Sequence, residues 1–247
     1  MHTPLGAGLA LALAPIAGAA TITIDDFSTG WPDTPETPFG YLSSDDPGDL
    51  QWTIDQDGTV AGAIDDSRYT LYTSGAATGG NSAMIAGGHL NISAGPGDPG
   101  GDVSLTYGFN RDLNTRFDQL GSDFFAFDIA GDFAATPSGG VSARPISFSL
   151  LLVSAAGTAS EASYTFVQDL DQTGTHQIDL STFAAQGVDL TDIDRLTVRF
   201  DASAYAAVDF SVSNLHVVSV NPVPSPAGGL SIAALAGLAA LRRCRHG

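Results

Sequence analysis

Eleven short runs of β-branched and aromatic residues, separated by clusters of Gly, Pro, Asp and Asn, constrain this chain more than any other feature. The first six are Thr21 to Ile24, Gln51 to Ile54, Arg68 to Thr73, Ser82 to Ser93, Val103 to Phe109 and Phe124 to Ile129. Ile146 to Val153, Ala162 to Val167, His176 to Leu180, Leu196 to Phe200 and Val208 to Val218 complete the series. Such side chains suit a pleated, half-buried surface, so each run reads as a strand. Gly95-Pro96-Gly97-Asp98-Pro99-Gly100-Gly101, Pro137-Ser138-Gly139-Gly140 and Asp171-Gln172-Thr173-Gly174 punctuate them, with glycine admitting positive φ and proline stopping the ladder. Asp57-Gly58 reads as a hairpin turn. Only Ser181 to Gln186 predicts a helical turn, capped by Ser181 or Thr182. No internal repeat is visible. The expected fold is all-β: one antiparallel two-sheet β-sandwich of jelly-roll form over residues 21–219.

The two ends read as addresses. Leu5 to Ala20 is an apolar stretch rich in Leu and Ala that closes on small residues, which predicts a secretory signal peptide over 1–20. At the other end, the prolines of Asn221 to Ala227 fix their own φ and disfavour helix before them, which ends the globular domain. Gly228 to Leu241 then runs 14 residues without a charge, and Arg242, Arg243 and Arg245 follow. As a helix this run spans about 21 Å, short of a hydrocarbon core of ~30 Å, so it predicts a marginal transmembrane helix. The terminal arginines would hold the C-terminus in the cytoplasm. Residues 220–247 are thus expected to be a Pro-rich linker, a short transmembrane helix and an Arg-rich tail.

Val223-Pro224-Ser225-Pro226-Ala227, the apolar run and Arg242, Arg243 and Arg245 together resemble the PEP-CTERM class of bacterial sorting signals. The string is similar to the variant reading Val-Pro-Leu-Pro-Ala, with Ser225 in place of leucine. The resemblance implies an exosortase-type transpeptidase as partner during export from a Gram-negative cell. It further implies transient anchoring in the inner membrane, removal of the tail, and a final place at the outer surface or outside, often beside exopolysaccharide. An ordinary anchor helix ranks second. A GPI-type signal ranks last, because its tail lacks a terminal arginine cluster and follows a longer polar spacer.

Charge excludes several functions. The chain carries 27 acids against nine basic residues, all arginine, for a net charge of −18. Without both ends, six arginines face 27 acids and the balance is −21. Such a surface repels nucleic acid and anionic membranes. The absence of lysine removes Schiff-base and phosphate-loop chemistry. Cys244 is the only cysteine, so neither an internal disulfide nor a cysteine-held zinc can form.

The opening Ile24-Asp25-Asp26-Phe27, the late run Gly174 to Phe183, Val188 to Ile193 and the final Ser213 to Val218 resemble jelly-roll carbohydrate-binding modules of the galactose-binding-like superfamily. The resemblance implies a structural calcium ion (Ca2+) near the first and last strands, for which Asp25, Asp26 and Asp209 are the candidate ligands. It also directs attention to aromatics, whose faces stack on sugar rings while polar neighbours bind hydroxyls. Trp31, Tyr41, Tyr69 and Tyr72 are the glycan-binding candidates. Trp31, followed by Pro32, is the expected exposed platform, whereas Trp52 within a strand is expected in the core. Packing inside the sandwich is the competing reading for each.

No catalytic motif stands out. Gly95, Gly97 and Gly100 match a dinucleotide spacing, but Pro96 and Pro99 remove backbone donors and a strand follows instead of a helix. Asp169 to Gly174 begins like a calcium loop, yet its twelfth position is Leu180. His89, His176 and His216 lack metal-ligand spacing, and no serine sits in a nucleophile elbow. Glu36 and Glu161, the only glutamates, have no recognisable catalytic context, although aspartate pairs could serve in glycoside hydrolysis. The expectation is an exported, non-catalytic surface or matrix protein associated with exopolysaccharide or another glycan. The alternatives are a secreted glycan-active enzyme on the same fold and a purely structural surface protein.

Overall fold

The computed structural model describes residues 21–33, 41–43, 51–74, 81–95, 100–118, 123–132, 146–204 and 208–219, which belong to one compact unit. The signal peptide expected over 1–20 and the expected sorting segment, including Val223 to Ala227 and the terminal arginines, lie outside the described residues.

Thirteen strands follow in chain order: β1 (Thr21–Asp25), β2 (Tyr41–Ser43), β3 (Gln51–Gln56), β4 (Arg68–Thr73), β5 (Asn81–Ala86), β6 (His89–Ala94) and β7 (Asp102–Tyr107). Then come β8 (Asp123–Asp132), β9 (Ile146–Ser154), β10 (Ala162–Leu170), β11 (Gly174–Asp179), β12 (Ile193–Asp201) and β13 (Asp209–Ser219), with one helix, α1 (Ser181–Ala185). They form two antiparallel sheets. The seven-stranded sheet runs β11-β8-β13-β6-β5-β2, and the six-stranded sheet runs β10-β9-β12-β7-β4-β3. β1 completes the larger sheet by pairing with β13 from Leu215 to Val218, while β6 pairs with β13 from Asp209 to Val212. The expected all-β two-sheet sandwich is the observed one.

Alternation puts one face of each strand into the space between the sheets. β7 contributes Val103, Leu105 and Tyr107, β9 contributes Phe148, Leu150 and Leu152, and β12 contributes Leu196, Val198 and Phe200. Phe125, Phe127 and Ile129 meet them from β8. The Phe127 and Phe148 rings stack with centroids 4.7 Å apart, and Phe200 meets Phe127 edge-on at 5.6 Å. These are the offset and T-shaped arrangements that aromatic quadrupoles favour.

Several local expectations change. The run Ser82 to Ser93 is a hairpin, β5 and β6, reversed at Gly87-Gly88 with φ of 63° and 81°. Two successive positive φ values fit a two-residue turn whose twist matches the flanking strands, and glycine adopts them without cost. β3 and β4 do pair as a hairpin, but through residues 57–67, including a 3-10 turn at Ile64–Asp66, and not through Asp57-Gly58 alone. β2 lies outside the eleven expected runs. α1 forms where expected, but its N-cap is Leu180 with no side-chain cap bond; Asp179 Oδ1 accepts from the Ser181 N–H instead.

Candidate functional site

The outer face of the six-stranded sheet is an ordered grid. Register places Asp55, Tyr69, Thr106, Thr197, Leu151 and Thr165 in one row across the strands. Thr53, Leu71, Ser104, Arg199, Ser149 and Val167 form the next, and Gln51, Thr73, Asp102, Asp201, Ser147 and Asp169 the third. Short hydroxyls dominate, so the face is low and open, and Thr106 and Thr197 share a hydrogen bond of 3.0 Å between their hydroxyls.

An aromatic step rises at one end of the first row. β7 stops at Gly108, whose φ is +78° and where a Cβ would lie 2.1 Å from the Asp194 carbonyl oxygen, so only glycine fits. The chain turns there and lays Phe109 over Tyr69, with ring centroids 3.9 Å apart and planes 15° from parallel. Phe109 remains 49% exposed. The next residue, Asn110, donates its side-chain amide to both oxygens of Asp55, at 2.9 and 3.1 Å.

Arg199 stands in the middle of the face. Its Nε donates to Asp102 Oδ1 at 2.8 Å, and its Nη2 donates to Asp102 Oδ2 at 2.6 Å and Asp201 Oδ2 at 2.9 Å. Burial lifts the Asp102 carboxyl above its ordinary value despite the downward pull of Arg199, while hydrogen bonding to Asp102 raises the Arg199 guanidinium. Together the face offers an apolar ring surface beside planar polar groups and hydroxyls. That combination can stack on the C–H face of a sugar and hydrogen-bond its hydroxyls.

The candidates from the sequence separate. Tyr69 lies on this outer face. Tyr72, three residues on, points to the opposite side and is fully buried beside Trp52, with centroids 5.3 Å apart. Trp31 is not a platform: it is 5% exposed and its Nε1 donates to the Thr70 hydroxyl at 3.1 Å. Burying the indole while giving its N–H a partner is the stable outcome. Tyr41 falls in β2. Phe109, Asn110 and Arg199 belong to no binding pattern in the sequence; the Phe109-Asn110 pair after Gly108 is the available signal.

The proposed calcium ligands do not converge. Asp25 is fully buried and its carboxylate is taken by Arg68, Tyr107 and the Phe27 N–H. Asp26 Oδ1 accepts from the Ser28 N–H. Asp209 hydrogen-bonds Ser93 at the start of β13, six residues from Leu215, the residue opposite Asp25. At ~3.3 Å per residue that is about 20 Å. The Asp25, Asp26 and Asp209 set therefore does not fit one calcium ion, and no group of three or more His, Cys, Asp or Glu able to hold a metal occurs among the described residues. His89, His176 and His216 sit on three different strands, β6, β11 and β13. Glu161 Oε2 accepts from the Gly157 N–H at 2.6 Å, within the turn before β10.

On the outer side of the seven-stranded sheet, Asp128 accepts from the Thr175 hydroxyl at 2.5 Å and the Asn214 amide at 2.6 Å. These donors hold its carboxyl below the usual range. No helix among the described residues is long and apolar enough to cross a membrane.

No protein-family model and no curated protein sequence matches this chain. Among solved structures, it is similar to a family 11 carbohydrate-binding module of a cellulosomal cellulase of Clostridium thermocellum, at 14% identity and a TM-score of 0.38 over 83% of this chain and 97% of that one. A family 29 carbohydrate-binding module aligns at 16% identity and a TM-score of 0.36, over 85% of this chain and 99% of that one. With PfGH50B the likeness takes in 62% of this chain and 23% of the other, at 11% identity and a TM-score of 0.39.

Proposed function

We propose that this domain is a non-catalytic polysaccharide-contacting module, exported by its leader and delivered to the cell surface or matrix by an exosortase-type sorting signal. The observation that carries the glycan reading is the Tyr69–Phe109 stack, half exposed and bordered by Asp55, Asn110 and the hydroxyl-lined rows. A soluble domain normally withdraws such a ring, and an exposed one beside fixed polar groups is what sugar stacking requires.

The test is retention of the purified protein on a panel of polysaccharides, with released reducing sugar monitored and with calcium or chelator present. Saturable retention without release, lost in Phe109→Ala, is the expected outcome. Release of reducing sugar would replace this reading with a glycan-active enzyme, and no retention on any polymer would overturn it. The sorting reading has its own assay: replacing Arg242, Arg243 and Arg245 with Ala should leave the full chain in the inner membrane instead of outside the cell.

A further inference from the structure

The charges of the outer face narrow what it can accept. Its three rows hold four carboxylates, Asp55, Asp102, Asp201 and Asp169, and a single cation, Arg199. That cation is already committed. Asp102 grips it through two nitrogens and Asp201 takes a further hydrogen bond, while Asp102 and Asp201 stand directly opposite each other on β7 and β12. Asp55 is bonded to the neutral amide of Asn110, which leaves its charge uncompensated.

An anionic polymer approaching these rows meets four carboxylates against one engaged cation, on a chain whose net charge is −18; Arg195, one step before Thr197 on β12, is the further cation on this side of the sheet and leaves the carboxylates in excess. An uncharged sugar meets no such barrier. Each carboxylate has about four acceptor sites, more than its protein partners use, and can accept from hydroxyls. Arg199 Nη1 donates to no described residue and stays available to a hydroxyl oxygen. The Tyr69–Phe109 step supplies the stacking surface.

We infer that this face selects uncharged, hydroxyl-rich polysaccharide and rejects polymers bearing carboxylate or sulfate. The inference rests on the glycan reading above and adds the ligand class to it. Its test is affinity electrophoresis of the purified protein through gels containing an uncharged glucan, an uncharged mannan, polygalacturonate or a sulfated galactan, with chelator, at low and at high salt. Retardation by an uncharged polymer should exceed that by either anionic polymer by about tenfold or more at low salt, and should change little as salt rises. Asp102→Asn combined with Asp201→Asn, which frees the Arg199 charge, should narrow that gap. Salt should then weaken the newly gained binding. Phe109→Ala should abolish retardation by the uncharged polymer. Anionic polymers that bind as tightly as uncharged ones, or more tightly, would overturn the selectivity while leaving the glycan reading intact. Retardation by none of the four would overturn both.

Discussion

Arg68 Nη1 donates to Asp25 Oδ2 across 2.7 Å, and neither side chain reaches solvent. The Tyr107 hydroxyl donates to the same oxygen at 2.8 Å, and the Phe27 N–H to the other at 2.8 Å. Arg68 Nη2 donates in turn to the Thr29 carbonyl and to Gln56 Oε1. Burial, reinforced by the Asp25 charge, pushes the Tyr107 phenol well above its ordinary value, so it remains a donor at neutral pH. The network fastens the segment after β1, which begins in one sheet, to the inner face of β3, β4 and β7 in the other.

Removing one member of a buried pair strands the other charge, which costs about 3–5 kcal/mol. Arg68→Met and Asp25→Asn should each lower stability by roughly that amount in urea denaturation, and Arg68→Met combined with Asp25→Leu should recover part of it. Single variants that lose under about 1 kcal/mol would show that water reaches the pair in solution.

Trp31 separates packing from binding. Trp31→Ala should cost about 3–5 kcal/mol, because it opens a cavity and leaves Thr70 without its donor. In the folded fraction, retention on polysaccharide should match that of the parent protein. Loss of retention at unchanged stability would return Trp31 to the binding surface.

Gly108 links the fold to the aromatic step. A Cβ there would collide with the backbone oxygen of Asp194, and its positive φ strains any other residue. Gly108→Ala should therefore destabilise by about 1–3 kcal/mol and displace Phe109, weakening retention as well. Phe109→Ala, in contrast, should alter stability by no more than about 1.5 kcal/mol while removing retention. Equal stability losses in the two variants would break this distinction.

The strands of the core were legible because β7, β9 and β12 carry apolar residues at every second position. The hairpin at Gly87-Gly88 was not, because apolar residues flank both sides and alternation alone does not reveal a reversal of direction. β4 misled for another reason: its inner face is Arg68, Thr70 and Tyr72, so polarity along Arg-Tyr-Thr-Leu-Tyr-Thr gives no sign of which tyrosine points inward. The buried charge makes sense only beside Asp25, 43 residues earlier. Trp31 likewise owes its burial to Thr70, 39 residues away, whereas its neighbour Pro32 suggested an exposed loop. The outer-face grid depends on register between strands far apart in sequence. Arg199 and Asp102, 97 residues apart, carry no local sign of their pairing.

Asp128 predicts how stability responds to acid. The Thr175 hydroxyl and the Asn214 amide both donate to its ionised form, and the nearby His216 adds a smaller pull in the same direction. Its folded pKa therefore lies below the unfolded value of 3.8. A carboxyl shifted this way contributes stability that is complete above the unfolded value and disappears as pH falls through the folded one. Thr175→Val removes one donor and should move the Asp128 pKa up toward 3.8, readable by NMR titration of its carboxyl carbon. In urea denaturation from about pH 7 down to about pH 2, the variant should be less stable than the parent at neutral pH, and the two curves should converge on acidification. A constant gap across that range would mean that the hydroxyl contributes packing alone, and a gap that widens in acid would reverse the assigned direction.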